Sequence, residues 1–248
     1  MLSLLALLSL SAMAQDEDVG FTADRPGATT GVDILPKGRV QWETGMEFER
    51  IKVGESAFDS WTFNTSLFRW GIADGAELRL QTDYLYSIIG DVHLKGFSNV
   101  GVGTKVRIFE GWKAVPAISA LSTVFIPGSS KFDFMLSKWS GQMGLLLQNE
   151  LTSWCSLGYE ADVLWYSGVK PTYFWGFCLS FQVSDRFSLM VEESNKQFYG
   201  LHENWMEFGA AYQLMPRLQL DLSGDLNLNN PRNYIEIMFG VAWQINKR

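Results

Sequence analysis

Few residues of this chain are equipped for covalent chemistry. It has two histidines, His93 and His202, and two cysteines, Cys155 and Cys178. A Ser–His or Asp–His pair that hydrolyses lipid or peptide bonds needs its members within hydrogen-bond reach, which on an extended strand means two residues apart. Neither histidine has a serine at that spacing, and only Asp91, two residues before His93, could share a face with one. Two distant histidines among scattered carboxylates make a poor metal set, and nothing in the pattern asks for a cofactor. Both histidines are therefore expected as solvated residues of external loops. If the chain turns back between Tyr166 and Pro171, Cys178 falls opposite Tyr159, about 13 Å along the strand from Cys155 and on the other face. Both thiols are expected to be free, even in an oxidising compartment.

The denser signal is electrostatic. Charged residues recur at every second position of otherwise apolar segments: Glu43, Glu47, Arg69, Glu77, Arg79, Asp83, Lys105, Arg107, Glu150, Glu160, Asp162, Glu192, Glu207, Asp221 and Glu236. Four cations, Arg69, Arg79, Lys105 and Arg107, stand close together, while most of the carboxylates come from other segments. Such segregation can set a transverse field across a narrow pore, or it can be an ion-pair network that fills and stiffens an interior. In both cases the two signs need each other, because an unpaired charge in a poorly solvated space is costly.

The rest of the sequence says what must position these groups. The chain has 248 residues with 27 acidic and 20 basic side chains, a net charge of −7 that disfavours a nucleic-acid partner. At 47% apolar and 19% charged it is too apolar for disorder. A mean hydropathy near zero is too polar for a bundle of membrane helices. The composition includes 14% aromatics and 23 glycines against 7 prolines. The apolar run Leu2–Leu10 followed by Ala12-Met13-Ala14 reads as an export signal over residues 1–14, with a mature start at Gln15 and no cysteine there to carry a lipid. The basic residues that usually open such a leader are missing, so the true leader is expected to be longer or its start misplaced.

After the leader, alternation replaces helical periodicity. Ile235, Ile237, Phe239, Val241, Trp243 and Ile245 share one face of the last segment, and Tyr234, Glu236, Met238, Gly240, Ala242 and Gln244 the other. Strands are expected at about 39–53, 61–71, 76–87, 98–109, 114–127, 142–152, 156–166, 172–183, 186–194, 203–214, 218–228 and 234–245, which makes twelve. Short turns alternate with longer polar links at 54–60, 88–97, 128–140 and 194–202. This is the spacing of an antiparallel transmembrane β-barrel, whose even strand number puts both termini on the short-turn, periplasmic side. Trp42, Met46, Phe48, Leu78, Leu80, Tyr173, Phe177, Phe208 and Tyr212 then face lipid, and the fifteen charges face the lumen. A charge at the midplane of the lipid face would cost about 2–4 kcal/mol for Arg or Lys.

Particular stretches resemble a known family. Asp24-Arg25-Pro26, Pro36-Lys37-Gly38 leading to Gln41 and Glu43-Thr44-Gly45, Arg69-Trp70-Gly71 with Glu77-Leu78-Arg79, Val102-Gly103-Thr104-Lys105, Ile126-Pro127-Gly128 and Val191-Glu192 are similar to motifs of the Gram-negative outer-membrane proteins grouped under the meta-pathway of phenol degradation. The threonine usual between Pro127 and Gly128 is missing, and the chain ends in Asn246-Lys247-Arg248 rather than on an aromatic. The resemblance implies a barrel that passes small, often aromatic or apolar, compounds. Its partners would be outer-membrane lipid, the barrel assembly machinery and a small solute.

The domain plan that follows is a signal at 1–14, a periplasmic segment at 15–38 that folds into the lumen as a partial plug, and a barrel at 39–248. A passive channel is the leading reading, a filled structural or interaction barrel the second, and an outer-membrane enzyme the last. A free basic wall would favour the anion of an aromatic acid over its neutral ester.

Overall fold

A computed structural model describes residues 21–89, 91–129, 138–229 and 233–245. The expected export signal lies outside them. The described chain is all β: β1 Val40–Val53, β2 Ser56–Ala73, β3 Ala76–Thr82, β4 Tyr84–Ile89, β5 Val92–Phe97, β6 Gly101–Phe109, β7 Ala117–Phe125, β8 Ser140–Thr152, β9 Cys155–Tyr166, β10 Thr172–Ser184, β11 Phe187–Phe198, β12 Leu201–Met215, β13 Leu218–Asn227 and β14 Tyr234–Ile245. Every pairing is antiparallel, and β1 pairs with both β14 and β2, so the sheet closes on itself.

Fourteen strands make a wall of twelve. β3 and β4 both pair with β2 and form one wall strand interrupted at Asp83, while β5 and β6 form the next, interrupted at residues 98–100. At the interruption the Asp83 amide donates to Ser98 Oγ at 2.9 Å and the Ser98 amide to the Asp83 carbonyl at 2.8 Å. The break thus satisfies its own backbone groups instead of leaving them open within the wall.

The strands run longer than their apolar alternation. The links expected at 54–60, 88–97 and 194–202 are strand hairpins that continue the ladder. The last of these turns on Tyr199 and Gly200, both at positive φ, as a two-residue hairpin turn requires. The outward positions of the first and last are polar, with Arg50, Lys52 and Asp59 on one and Asn195, Gln197 and His202 on the other, and the backbone pairing continues through them. As a result His93 lies in β5 and His202 in β12, and neither is in a loop. At the other end β7 starts later than residue 114, because Trp112 and Val115 close a tight bridge and Pro116 offers no N–H to the ladder.

Burial is inverted relative to a soluble protein. Phe239, Phe208, Phe177, Leu222 and Leu80 are exposed on the outside, whereas the largest fully buried side chains include Arg69, Lys105, Gln41, Glu43, Glu77 and Glu192. Trp70, Trp112, Trp154 and Trp243 stand exposed at the short-turn end, as in the aromatic girdles of transmembrane barrels. β1 begins and β14 ends at this same end, where Val40 is the partner of Ile245.

Candidate functional site

The interior is organised by residues 22–36, which form no regular element yet touch every strand of the wall. Arg25 Nε donates to Asp221 Oδ1 on β13 at 3.3 Å and its Nη2 to the Phe239 carbonyl on β14 at 3.4 Å. Pro26 lies against Gly209 of β12. The amides of Ala28 and Thr29 and the Thr29 hydroxyl donate to Glu192 on β11 at 3.1, 2.9 and 2.7 Å, and the Thr29 methyl fills the space beside Gly176 of β10. The Thr30 amide donates to Glu160 on β9. Val32 packs on Leu121 of β7 and Leu146 of β8. The Gly31 and Asp33 carbonyls accept from Lys105 on β6 at 2.9 Å and from Arg69 on β2 at 3.0 Å, and the Leu35 amide donates to Glu77 on β3 at 2.9 Å. The chain then passes Gly71 and enters β1. The segment makes one circuit of the inner wall.

Asp24 clasps the circuit. Its carboxylate takes Lys105 Nζ at 2.9 Å, Arg79 Nη1 and, at 3.4 Å, Arg69 Nη1, while its amide donates to Glu43 at 3.1 Å. Arg69 also donates to Glu43 at 2.9 Å and to both oxygens of Glu77 at 2.9 Å, a bidentate pairing suited to its planar fork. Arg79 reaches Glu77 at 2.9 Å. Gln41 Nε2 donates to the Thr22 carbonyl and to Glu43, each at 2.8 Å. Three buried cations thus meet three buried carboxylates.

This arrangement corrects the separation of charge expected from sequence. Glu43 and Glu77 sit on the strands next to the cations, so the ion pairs are local and are completed by the N-terminal segment. None of them reaches across an open lumen. It also removes the free basic wall, and with it the reason to expect an anionic solute.

The remaining expected lumen residues are placed as follows. Glu160, Asp162, Glu192, Glu207 and Asp221 are buried in the interior, and Glu47 and Glu236 are half-buried there. Gln142 donates to Asp162, and the Tyr234 hydroxyl donates to Glu236 at 2.6 Å. Asp83 marks the wall interruption. Arg107 and Glu150 lie at the short-turn mouth: Arg107 is 3.6 Å from Asp33, and exposed Glu150 accepts from Gln148 at 2.7 Å. Two cavities flank the segment on this side. One of about 200 Å³ is bounded by Arg25, Thr29, Ser156, Cys178 and Met190, and one of about 310 Å³ by Asp33, Arg107, Trp112 and Glu150.

The groups with catalytic potential are not assembled. His93 Nδ1 meets the Tyr86 hydroxyl at 2.7 Å, and His202 pairs with Asn195 at 3.0 Å and stacks on Trp175. Among the described residues no group of His, Cys, Asp and Glu is arranged to hold a metal ion. Both cysteines are free. Cys178 stands opposite Gly158, one residue from the expected Tyr159, because Pro171 lies outside the ladder and Thr172 pairs with Leu164.

Sequence reasoning missed two parts of the site. Gly45, Gly71, Gly176, Gly209 and Gly240 all occupy inward positions beside the segment, and Gly45 and Gly240 are direct partners across β1 and β14. A Cβ at either would collide with the Arg25 guanidinium. Glycine at inward parity was the available signal. The second is an inward aromatic pair, Trp205 and Tyr234, with ring centroids 4.2 Å apart.

A family model described as "Putative MetA-pathway of phenol degradation" matches residues 23–244, taking in the inner circuit as well as the wall. The chain belongs to this family. Among solved structures it is similar to an outer membrane channel from Pseudomonas putida F1, at 13% identity and a TM-score of 0.70 over 89% of this chain and 99% of that one. It is also similar to the KdgM porin in complex with disordered oligogalacturonate, at 10% identity and a TM-score of 0.55 over 83% and 99%. The Pseudomonas putida toluene transporter TodX matches at 10% identity and a TM-score of 0.50 over 86% and 90%. No curated protein matches the chain. These structural likenesses are of fold. A closed barrel with an apolar exterior, in this family, is a protein of the Gram-negative outer membrane.

Proposed function

We propose that the protein is a passive outer-membrane channel for small molecules, constricted by the circuit of residues 22–36, with its short-turn end and both termini on the periplasmic side. The observation that carries this reading is the interior itself. The lumen is polar, as a path for water-borne solutes requires, and cavities of about 200 and 310 Å³ remain beside the segment. The family's association with phenol degradation and the toluene transport of a similarly folded protein support a small aromatic or apolar solute. The pairing of His93 with Tyr86 and of His202 with Asn195 supports a channel over an enzyme.

One observation supports the filled barrel as a second reading: the segment bonds to or packs on every wall strand, as a stopper would. Planar-bilayer recordings separate the two. The full chain is expected to give small unitary steps, and a chain lacking residues 22–36 larger ones. Silence from both would remove the channel reading, whereas silence from the full chain and steps from the deletion would make it a stoppered barrel.

A further inference from the structure

On the wall away from the buried ion pairs, five carboxylates stand in a row. Glu192, Glu207, Asp225, Glu236 and Glu49 are successive direct partners across β11, β12, β13, β14 and β1. Neighbouring strands are about 4.8 Å apart, so the row is a strip of negative charge about 19 Å long. Like charges placed opposite one another destabilise a sheet, and among the described residues none of the five stands in a close ion pair, Arg25 and Lys196 acting on the row only from a distance. Glu192 is engaged by Ala28 and Thr29, and Arg25 is held further down on Asp221. Among the described inward positions of β11–β14 only Lys196 carries a cation; it is exposed, stands opposite Glu203 in the ladder and acts on Glu236 from the long-loop end.

Glu207 is the centre of the imbalance. It is only 2% exposed, and neither of its carboxylate oxygens makes a well-aligned hydrogen bond, its polar neighbours being Ser223, Asp225 and the Ala28 amide; Asp225 Oδ1 makes none either. A carboxylate removed from water without a partner is expensive, and a bound cation relieves that cost. Two residues toward the long-loop end, Trp205 and Tyr234 meet edge to face, at 69°, with the Trp205 indole N–H unpartnered. Aromatic faces beside carboxylates hold organic cations through the ring quadrupole. A bare metal ion is not the fit, because the described carboxylates do not converge on a point.

We propose that Glu207, Asp225 and Glu236, roofed by Trp205 and Tyr234, form a binding site for an organic ammonium ion, of the arylalkylamine class. This rests on reading the lumen as a solute path. It sets the charge preference of that path opposite to the one a free basic wall would give. The ammonium group sits on the carboxylate row and the hydrocarbon part against the aromatic pair.

Calorimetric titration of the detergent-solubilised full chain tests the site without needing an open pore. Phenylethylammonium is expected to bind at least tenfold more tightly than phenylacetate or phenylethanol at low salt, with the margin shrinking as ionic strength rises. Asp225→Asn and Glu236→Gln should each weaken the amine at least fivefold and leave phenylethanol unchanged. Trp205→Leu should weaken amine and alcohol together. Asp185→Asn, in a turn at the other end, should change nothing. Equal affinity for amine and acid, no binding at all, or carboxylate variants that bind like the parent would each overturn the proposal. Heat-modifiable gel mobility reports folding, and if one carboxylate variant fails to fold the other still decides the outcome. Amine binding by a protein silent in bilayers would leave this site standing and remove the channel; steps without amine binding would do the reverse.

Discussion

At the scale of single residues, Arg69 and Arg25 carry different loads. Arg69 is fully buried among Asp24, Glu43 and Glu77, so Arg69→Leu leaves Glu43 without a cation and takes one partner each from Asp24 and Glu77, which keep Arg79 and Lys105. Removing one member of such a buried set costs about 3–5 kcal/mol, and urea titration followed by heat-modifiable mobility should register it. A loss below about 1 kcal/mol would mean that water already solvates this part of the lumen. Arg25 instead depends on absent side chains. Gly240→Val would push a branched Cβ into its guanidinium, so the barrel should still form while the segment loosens and unitary conductance rises. The thiols give a third expectation. Cys178 borders the cavity beside Arg25, whereas Cys155 lies on the opposite parity of the wall. A small water-soluble thiol reagent should therefore label Cys178 alone in the folded protein. An unreduced mass two hydrogens short would contradict the register of β9 and β10.

At the scale of elements, alternation does most of the work and also sets its limit. The outward positions of β14 follow from one pass over residues 234–245, and Phe239 is indeed 59% exposed beside half-buried Met238. Phe239→Arg should cost about 2–4 kcal/mol at the lipid midplane. Met238→Arg, which faces Glu47 across β1, should cost far less, and equal costs would reverse the faces. The hairpins beyond the lipid were read as loops because periodicity in a barrel strand is imposed by lipid, and it fades where water begins even though the ladder goes on. Residues 22–36 were harder still. They have no period, and their partners Asp221 and Glu192 lie more than 160 residues away. Only the length of the segment ahead of β1 suggested a plug, and the inward glycines that agree with it went unread. The inward parity of groups such as Glu43, Arg69 and Glu192 was legible, but their pairing was not, since parity tells which side a group faces and says nothing of its neighbour.

For the molecule as a whole, the described residues form a wall with an apolar exterior and a polar content held by one irregular strip. Replacing residues 22–36 by a glycine–serine stretch of equal length should leave β-content by circular dichroism near the parent's and lower the temperature of gel conversion, because the buried cations lose Asp24. Unchanged conversion would show that the strip is a passenger. Its geometry carries one further consequence, in time rather than space. Arg25 bridges Thr65 on β2, Asp221 on β13 and the Phe239 carbonyl on β14, at the join where the first strand of the wall meets the last. Arg25 precedes every strand of the wall in the chain, yet two of these three partners lie on its last two strands. Until β13 and β14 arrive, its guanidinium has only Thr65 to hold it, and the strip preceding β1 is expected to stay open to proteases. A chain broken off before Tyr234 should be nicked near Arg25 and one carrying β14 spared, so that protease sensitivity ahead of β1 reports whether β13 and β14 have been delivered.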